Sequence, residues 1–286
     1  MKWIFWGAVV AAGYTYLGYP VWLWIRSRWW PNPVRSAPFF PFISIVMVVR
    51  NEASVLERKL RNLVGLNYLP DLREIVVVSD GSTDSTNSIL SEFAKVSNAQ
   101  IIVKQLSRGK ADGLNDALNI VRGEIVVFTD ARQQIESDAV RLLMENFADP
   151  SVGCASGELM LGEPKSGEKA KGTGLYWKIE KEMREMEAIS GSTVGATGAI
   201  YAVRRNLIAQ LPAGTILDDV YIPMHVVQQG ARVVFDARVH AWDTPDGRLR
   251  DPMAIRPFLP STAASGPKLR AKLIPQAPMT TRPFPM

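Results

Sequence analysis

The chain has 286 residues, 47% of them hydrophobic and 21% charged, which excludes disorder, a collagen-like repeat and a coiled coil. A single cysteine, Cys154, and two histidines, His225 and His240, exclude a disulfide scaffold and a metal site built from cysteine or histidine. The net charge of +5 is uneven: residues 1–40 and 251–286 each carry +4, and residues 41–250 carry −3. The globular part is mildly acidic, so no nucleic acid is expected as a partner.

Trp3 to Ile25 contains no charged residue, a length that can cross a ~30 Å hydrocarbon layer as a helix. Aromatic residues gather at its two ends, Trp3 and Trp6 on one side and Trp22, Trp24, Trp29 and Trp30 on the other. Arg26, Arg28 and Arg35 follow the span, and only Lys2 precedes it. The positive-inside bias then makes residues 1–28 a single-pass anchor in the inner (cytoplasmic) membrane, with the rest in the cytoplasm. A cleaved signal peptide would need small residues at a cleavage site, whereas the segment ends Pro-Val-Trp-Leu-Trp-Ile-Arg. A buried core helix is the other competing reading. Residues 29–41 read as a linker.

From residue 42 the pattern changes to short apolar runs alternating with helical periods. Strands are expected at 43–49, 74–79, 101–104 and 125–128, with helices at 52–63, 85–96 and 110–121. Such alternation predicts an α/β fold with a mostly parallel sheet flanked by helices, whose ligands bind beyond the carboxyl ends of the strands. Polar clusters stand at four successive strand ends: Arg50-Asn51-Glu52, Asp80-Gly81-Ser82-Thr83-Asp84, Arg108-Gly109-Lys110 and Asp130-Ala131-Arg132. Asp-Gly-Ser alone is a turn signal, but four clusters in register point to a site. No G-x-G-x-x-G follows the first strand, and Gly109-Lys110 lacks both the earlier glycine and the Ser/Thr of a P-loop.

Further along, 172–189 has a rough helical period, best read as packing on the sheet, with membrane-surface contact as the minor role. Residues 191–198 are rich in Gly, Ser and Thr ahead of an apolar run at 199–203, and Asp218-Asp219 opens a helix over 220–229. Those two carboxylates could be no more than an acidic helix cap. Cys154 reads as a small core residue, and the two histidines as locally bonded. Residues 246–286 are proline-rich without period and read as a loose tail.

Taken together, the ordered motifs resemble the family-2 glycosyltransferases, inverting nucleotide-sugar-dependent enzymes of GT-A fold that include many polysaccharide synthases. The resemblance covers about residues 42–245 and rests on Ile-Ser-Ile-Val-Met-Val-Val-Arg-Asn-Glu, Val-Val-Val-Ser-Asp-Gly-Ser-Thr-Asp and Arg-Gly-Lys-Ala-Asp-Gly-Leu-Asn. It continues in Thr-Asp-Ala-Arg, Gly195-Ala-Thr-Gly and Leu217-Asp-Asp-Val. It implies transfer of a sugar from a nucleotide-diphosphate donor to a saccharide or lipid-linked acceptor, in cell-envelope or extracellular polysaccharide synthesis. By the same resemblance Asn51 and Glu52 border the nucleotide and Asp80, beside Gly81, reads the base. Arg108 and Lys110 face the diphosphate or sugar, and Asp130 opens the D-x-D metal motif for Mg²⁺ or Mn²⁺. Gly195, Thr197 and Gly198 floor the acceptor, Asp219 is the base, and Asp218 supports it. The transfer chemistry calls for a carboxylate base and positive charge at the departing diphosphate.

Two departures stand out. Arg132 replaces the second carboxylate of the metal motif, which puts metal dependence in question and offers phosphate a fixed cation instead. The Gln-x-x-Arg-Trp motif of processive members has only a short imitation at Gln229-Gly-Ala-Arg232-Val, so the carboxyl end reads as shortened. A catalytically impaired nucleotide-sugar binder is therefore the alternative function. A sugar-phosphate nucleotidyltransferase ranks third, for want of its glycine-rich loop.

Overall fold

The computed structural model describes residues 2–97, 99–162 and 175–243. The expected loose tail lies outside them.

The amino-terminal segment is helical, but not as the one helix expected. Helix α1 (Lys2–Gly13) runs into a π turn at Tyr14–Gly18 and then into α2 (Tyr19–Trp29). Among the described residues no helix is long and apolar enough to cross a membrane. Trp3, Ile4, Tyr16 and Trp29 are exposed, whereas Leu23 is buried.

The domain is a mixed eight-stranded sheet in the order β3-β2-β1-β4-β7-β6-β8-β5. Its first half follows the expected alternation: β1 (Ile43–Val49), α3 (Ala53–Val64), β2 (Arg73–Asp80), α4 (Thr86–Val96), β3 (Gln100–Lys104), α5 (Lys110–Leu118) and β4 (Ile125–Thr129). These four strands are parallel, and a nearly continuous apolar run is what a strand covered on both faces requires. Alternate residues divide between two cores. Ile43, Ile45 and Met47 face α3 and α4, and Val46 packs with Leu114 and Ala117 of α5.

The second half departs from the mostly parallel expectation. It comprises β5 (Gln134–Ile135), α6 (Ala139–Asn146), β6 (Val152–Leu161), α7 (Leu175–Ser190), β7 (Ile200–Arg204), α8 (Asp218–Gln228) and β8 (Arg232–Asp243). Strand β7 is antiparallel to both β4 and β6, β5 is antiparallel to β8, and β6 with β8 is parallel. Cys154 is fully buried in β6.

Helix α7 packs against β8 and carries α2 on another side. The Tyr19 hydroxyl donates to Glu187 Oε1 at 2.6 Å, and the Asn32 N–H donates to the Ile189 carbonyl at 2.6 Å. Arg232, the residue of the imitation motif, donates to the carbonyls of Ala188, Gly191 and Asn32. Its guanidinium therefore caps the end of α7 and ties Asn32 to it.

Candidate active site

The site lies beyond the carboxyl ends of β1, β2 and β4, where α5 and α8 also begin. Parallel strands end there together, so each following loop delivers its polar residues to one edge. Asn51, with φ +53°, turns the chain out of β1. Its Oδ1 accepts from the Thr83 N–H at 2.8 Å, and the Glu52 N–H donates to Thr86 Oγ1 at 3.0 Å. The first and second loops are thus sewn together.

Asp80 is buried and spends both carboxylate oxygens on the loop after β3. It accepts from the Ser107 hydroxyl at 2.7 Å and from the Arg108 and Gly109 N–H groups at 2.9 Å each. Burial pushes its carboxyl upward, but these bonds and the Lys104 ammonium win and hold it below the usual carboxylate range. Gly81 is required beneath this turn. It has φ +66°, and a β-carbon there would sit 2.4 Å from the Ser107 nitrogen. Arg108 gives its backbone N–H to Asp80 and leaves its side chain exposed.

The turn so formed starts α5 at Lys110, whose Nζ lies 3.1 Å from Asp130 Oδ1 and 3.0 Å from Asp218 Oδ1. Desolvation lowers the Lys110 pKa, but the two carboxylates outweigh it and hold the amine protonated. Arg132 points largely into solvent and pairs with Glu52 at 3.3 Å.

Asp218 is buried, and its Oδ2 accepts the Tyr201 hydroxyl at 3.1 Å. Asp219 behaves differently. It is half-buried, and desolvation first, then the Asp218 charge, raise its carboxyl above the ordinary value despite Lys110. A raised carboxylate beside a cavity has the basicity that proton abstraction needs.

The loop 195–198 is placed against Asp219 by a backbone device. Pro223, inside α8, has no N–H to give the carbonyl of Asp219 four residues earlier. That carbonyl instead accepts the Ala196 N–H at 2.9 Å. A β-carbon on Gly198 would stand 3.0 Å from Asp219 Oδ2 and 3.8 Å from Asp130 Oδ2, so glycine keeps the space between the two carboxylates open. Gly195 lies against the Asp219 carbonyl as well. Thr197 accepts from Arg184 at 2.9 Å through its hydroxyl and donates its N–H to Ser156 Oγ at 2.7 Å.

These residues border a cavity of about 620 Å³ whose walls include Asp130, Thr197, Gly198 and Asp219. The far wall comes from β6, β8 and α7, with Met160, Trp177 and Phe235 among its members. The structure therefore gathers Lys110, Asp130, Asp218, Asp219, Thr197 and Gly198 in one place. Asn51, Glu52, Asp80, Gly81 and Arg108 shape the loops around it, with Arg132 on their solvent side. Sequence reasoning missed Arg184, Tyr201 and the lysine behind Asp130, Lys59. Only Pro223, a proline within a helical period, carried a visible signal. Among the described residues no three His, Cys, Asp or Glu side chains converge as a metal cage.

The model of the family described as "Glycosyl transferase family 2" matches residues 44–211, more than half of the chain. The chain belongs to that family. It is 29% identical over 209 residues to a β-monoglucosyldiacylglycerol synthase of Nostoc sp., covering 71% of this chain and 44% of that protein. It is 22% identical over 209 residues to a poly-β-1,6-N-acetyl-D-glucosamine synthase of Staphylococcus aureus, covering 70% and 49%. The chain thus spans about half the length of the curated relatives it matches. Among solved structures, the mannosyltransferase PcManGT from Pyrobaculum calidifontis, in complex with GDP-Man and Mn²⁺, superposes with a TM-score of 0.68. That pair is 27% identical and covers 82% of this chain and 67% of the other.

Proposed function

We propose that this chain transfers a sugar from a nucleotide-diphosphate donor to an acceptor hydroxyl with inversion, in envelope or extracellular polysaccharide or glycolipid synthesis. The observation that carries the reading is that Asp130 and Asp219 face each other across Gly198 in the cavity wall, with Lys110 paired to Asp130. Asp219 accepts the proton of the acceptor hydroxyl, the oxygen attacks the anomeric carbon, and the bond to the diphosphate breaks on the opposite face. Lys110 offers its ammonium to the departing diphosphate, and Arg132, exposed beside Glu52 and unable to ligate a metal, adds a second cation at the solvent side. Asp218 pairs with Lys110 and accepts the Tyr201 hydroxyl, and its charge helps to raise the Asp219 carboxyl. Asn51, Glu52, Gly81 and Arg108 border the nucleotide, and Asp80 acts on the donor by shaping the turn that presents Lys110.

A divalent ion, such as the Mn²⁺ in PcManGT, fits here only in a limited way. Asp130 is the one part-exposed carboxylate of the motif, Asp218 is buried, and Arg132 supplies no ligand. One carboxylate with donor phosphate oxygens is an ordinary Mg²⁺ arrangement. Asp130 would hold the ion, which when bound acts as a Lewis acid on the diphosphate.

Membrane attachment belongs to the same proposal. The exposed aromatic and aliphatic residues between Trp3 and Trp30, with Arg26, Arg28 and Arg35 at and beyond their carboxyl end, suit a bilayer and its interface, with the domain in the cytoplasm. Co-sedimentation with lipid vesicles that is lost on deleting residues 2–29 would support it, and unchanged sedimentation would remove it. The transferase reading is tested by incubating the purified chain with a panel of nucleotide sugars and membrane lipids. Formation of a glycosylated product with release of nucleoside diphosphate is expected. Binding without transfer or hydrolysis would instead support a nucleotide-sugar binder.

A further inference from the structure

Behind the site lies a buried ammonium that no step above uses. Lys59, in the middle of α3, is 1% exposed, yet its Nζ lies within reach of two groups of the β4–β5 connection. It donates to Thr129 Oγ1 at 2.8 Å and to the Gln133 carbonyl at 2.7 Å. Those partners flank Asp130-Ala131-Arg132, so one side chain holds both feet of the donor loop. Neighbours on the same helix continue the grip. Arg58 donates to the Arg132 carbonyl at 3.1 Å, and Asn62 exchanges two bonds with the backbone of Ile135, at 2.7 and 2.9 Å.

The chain of donors does not stop at the donor loop. Thr129 accepts from Lys59 and passes its own hydroxyl proton to the Ala199 carbonyl at 2.8 Å. Ala199 follows Gly198, the residue beside Asp130 and Asp219. A buried amine is a costly way to make two hydrogen bonds, since a neutral side chain would avoid desolvating a charge. Desolvation lowers the Lys59 pKa to about 7, and the nearby Asp130 charge opposes that fall.

Building on the transferase reading, we infer that Lys59 is a positioning residue. It clamps the Asp130 loop from behind and, through Thr129, locks it to the Gly198 loop. The distance between the metal-motif carboxylate and the base is then set by α3, outside the site itself. A one-ångström slackening of such a distance costs about 100-fold in rate in well-aligned sites.

A double-mutant cycle on the full chain separates this role from simple packing. Lys59→Met removes the donors at similar length, and Lys59→Gln keeps amide donors should the Met variant not fold. Each is made in the parent and in an Asp130→Asn background, with kcat and donor KM corrected for the folded fraction. Lys59→Met is expected to lower kcat/KM by about 10–100-fold in the parent, with Lys59→Gln in between. In Asp130→Asn the same change should cost less than threefold, because the group being positioned is already disabled. An equal loss in both backgrounds, or no loss in a folded Lys59→Met, overturns the inference. A parent without turnover refutes the transferase reading instead, and UDP and GDP affinities then run through the same cycle. Weakening that disappears with Asp130→Asn supports the clamp, and additive weakening or none overturns it.

Discussion

The two halves of the sheet reach the same cavity by different routes. In the half proposed to bind the donor, β1 to β4 are parallel and each loop after a strand carries one compact cluster to the same edge. In the half proposed to bind the acceptor, β6, β7 and β8 run in mixed directions, and the wall is assembled from strand faces, one helix and a glycine loop. Parallel strands with short loops concentrate chemistry at consecutive residues, so a motif can be read from sequence. Mixed strands spread it over residues far apart in the chain: Glu158 pairs with Lys181 of α7, and Trp242 of β8 donates to Glu136. The lesson is that the half proposed to hold the donor is written in local motifs, while the wall proposed to hold the acceptor is written in tertiary contacts.

The comparison can be sharpened first at its strongest point. Lys110→Met leaves the Asp130 and Asp218 carboxylates facing each other without their cation. Turnover should drop by roughly 10²–10³, the usual worth of one fixed group at the developing charge, with weaker nucleoside diphosphate binding. Steady-state kinetics with calorimetry would check it, and intact diphosphate affinity would break the donor-side assignment.

On the acceptor side, Gly198→Ala puts a methyl 3.0 Å from Asp219 Oδ2. We expect about a tenfold loss in kcat with little change in melting temperature or nucleotide affinity, because only the gap between the carboxylates is filled. An effect confined to donor KM would place Gly198 in the wrong half.

A smaller effect on stability is expected for Asp80→Asn, which offers N–H groups an amide where they met a carboxylate. Charge-assisted bonds of this kind contribute about 2 kcal/mol, and denaturant unfolding would measure the loss. The Asp80 carboxyl is held low in the fold, so its contribution is full above the unfolded value of ~3.9 and fades as pH falls through the folded one. Donor KM should rise together with the instability, since the turn delivering Lys110 loosens.

The gentlest test is pH. Burial and Asp218 raise the Asp219 carboxyl, so the acid limb of the rate profile should lie above the ordinary carboxylate range. Asp218→Asn removes the like charge and should move that limb downward. A raised carboxyl also costs stability once pH exceeds its unfolded value, so Asp219→Asn should melt slightly higher at neutral pH, the gain vanishing near pH 4.

Much of the donor half was legible in the chain. The expected strand at 43–49 is Ile43–Val49, and the other three strands agree within one residue at each end. Their apolar runs are unambiguous because both faces are covered. Strand β6 is not legible, because Gly153, Gly157 and Glu158 break its pattern, and β8 shows only as a strand beginning near Arg232, its run alternating Arg, Asp and His with apolar residues. The cluster of Lys110, Asp130, Asp218 and Asp219 could be named from motifs, but its internal pairing could not. Nothing in the residue types of Glu-Arg-Lys-Leu-Arg marks Lys59 off from its part-exposed charged neighbours. The apolar period Val55, Leu56, Leu60 and Leu63 puts position 59 on the inner face of the helix, but only the fold shows what its amine meets there. The apolar, helical character of the amino-terminal segment was legible by composition, but the single spanning helix expected there was not found: a π turn at Tyr14–Gly18, with no marker beyond Gly13 and Gly18 at its borders, joins two shorter helices.

The central claim is that Asp219 takes the acceptor proton while the donor is held by other residues. Asp219→Asn tests it most directly, because shape and hydrogen bonding are kept while the basic site is lost. Single-turnover transfer and nucleoside diphosphate affinity should be measured on the same preparation. The account predicts a fall in turnover of roughly 10²–10⁴ with affinity changed less than about threefold. Turnover within a few-fold of the parent, or a parallel collapse of affinity, would contradict it.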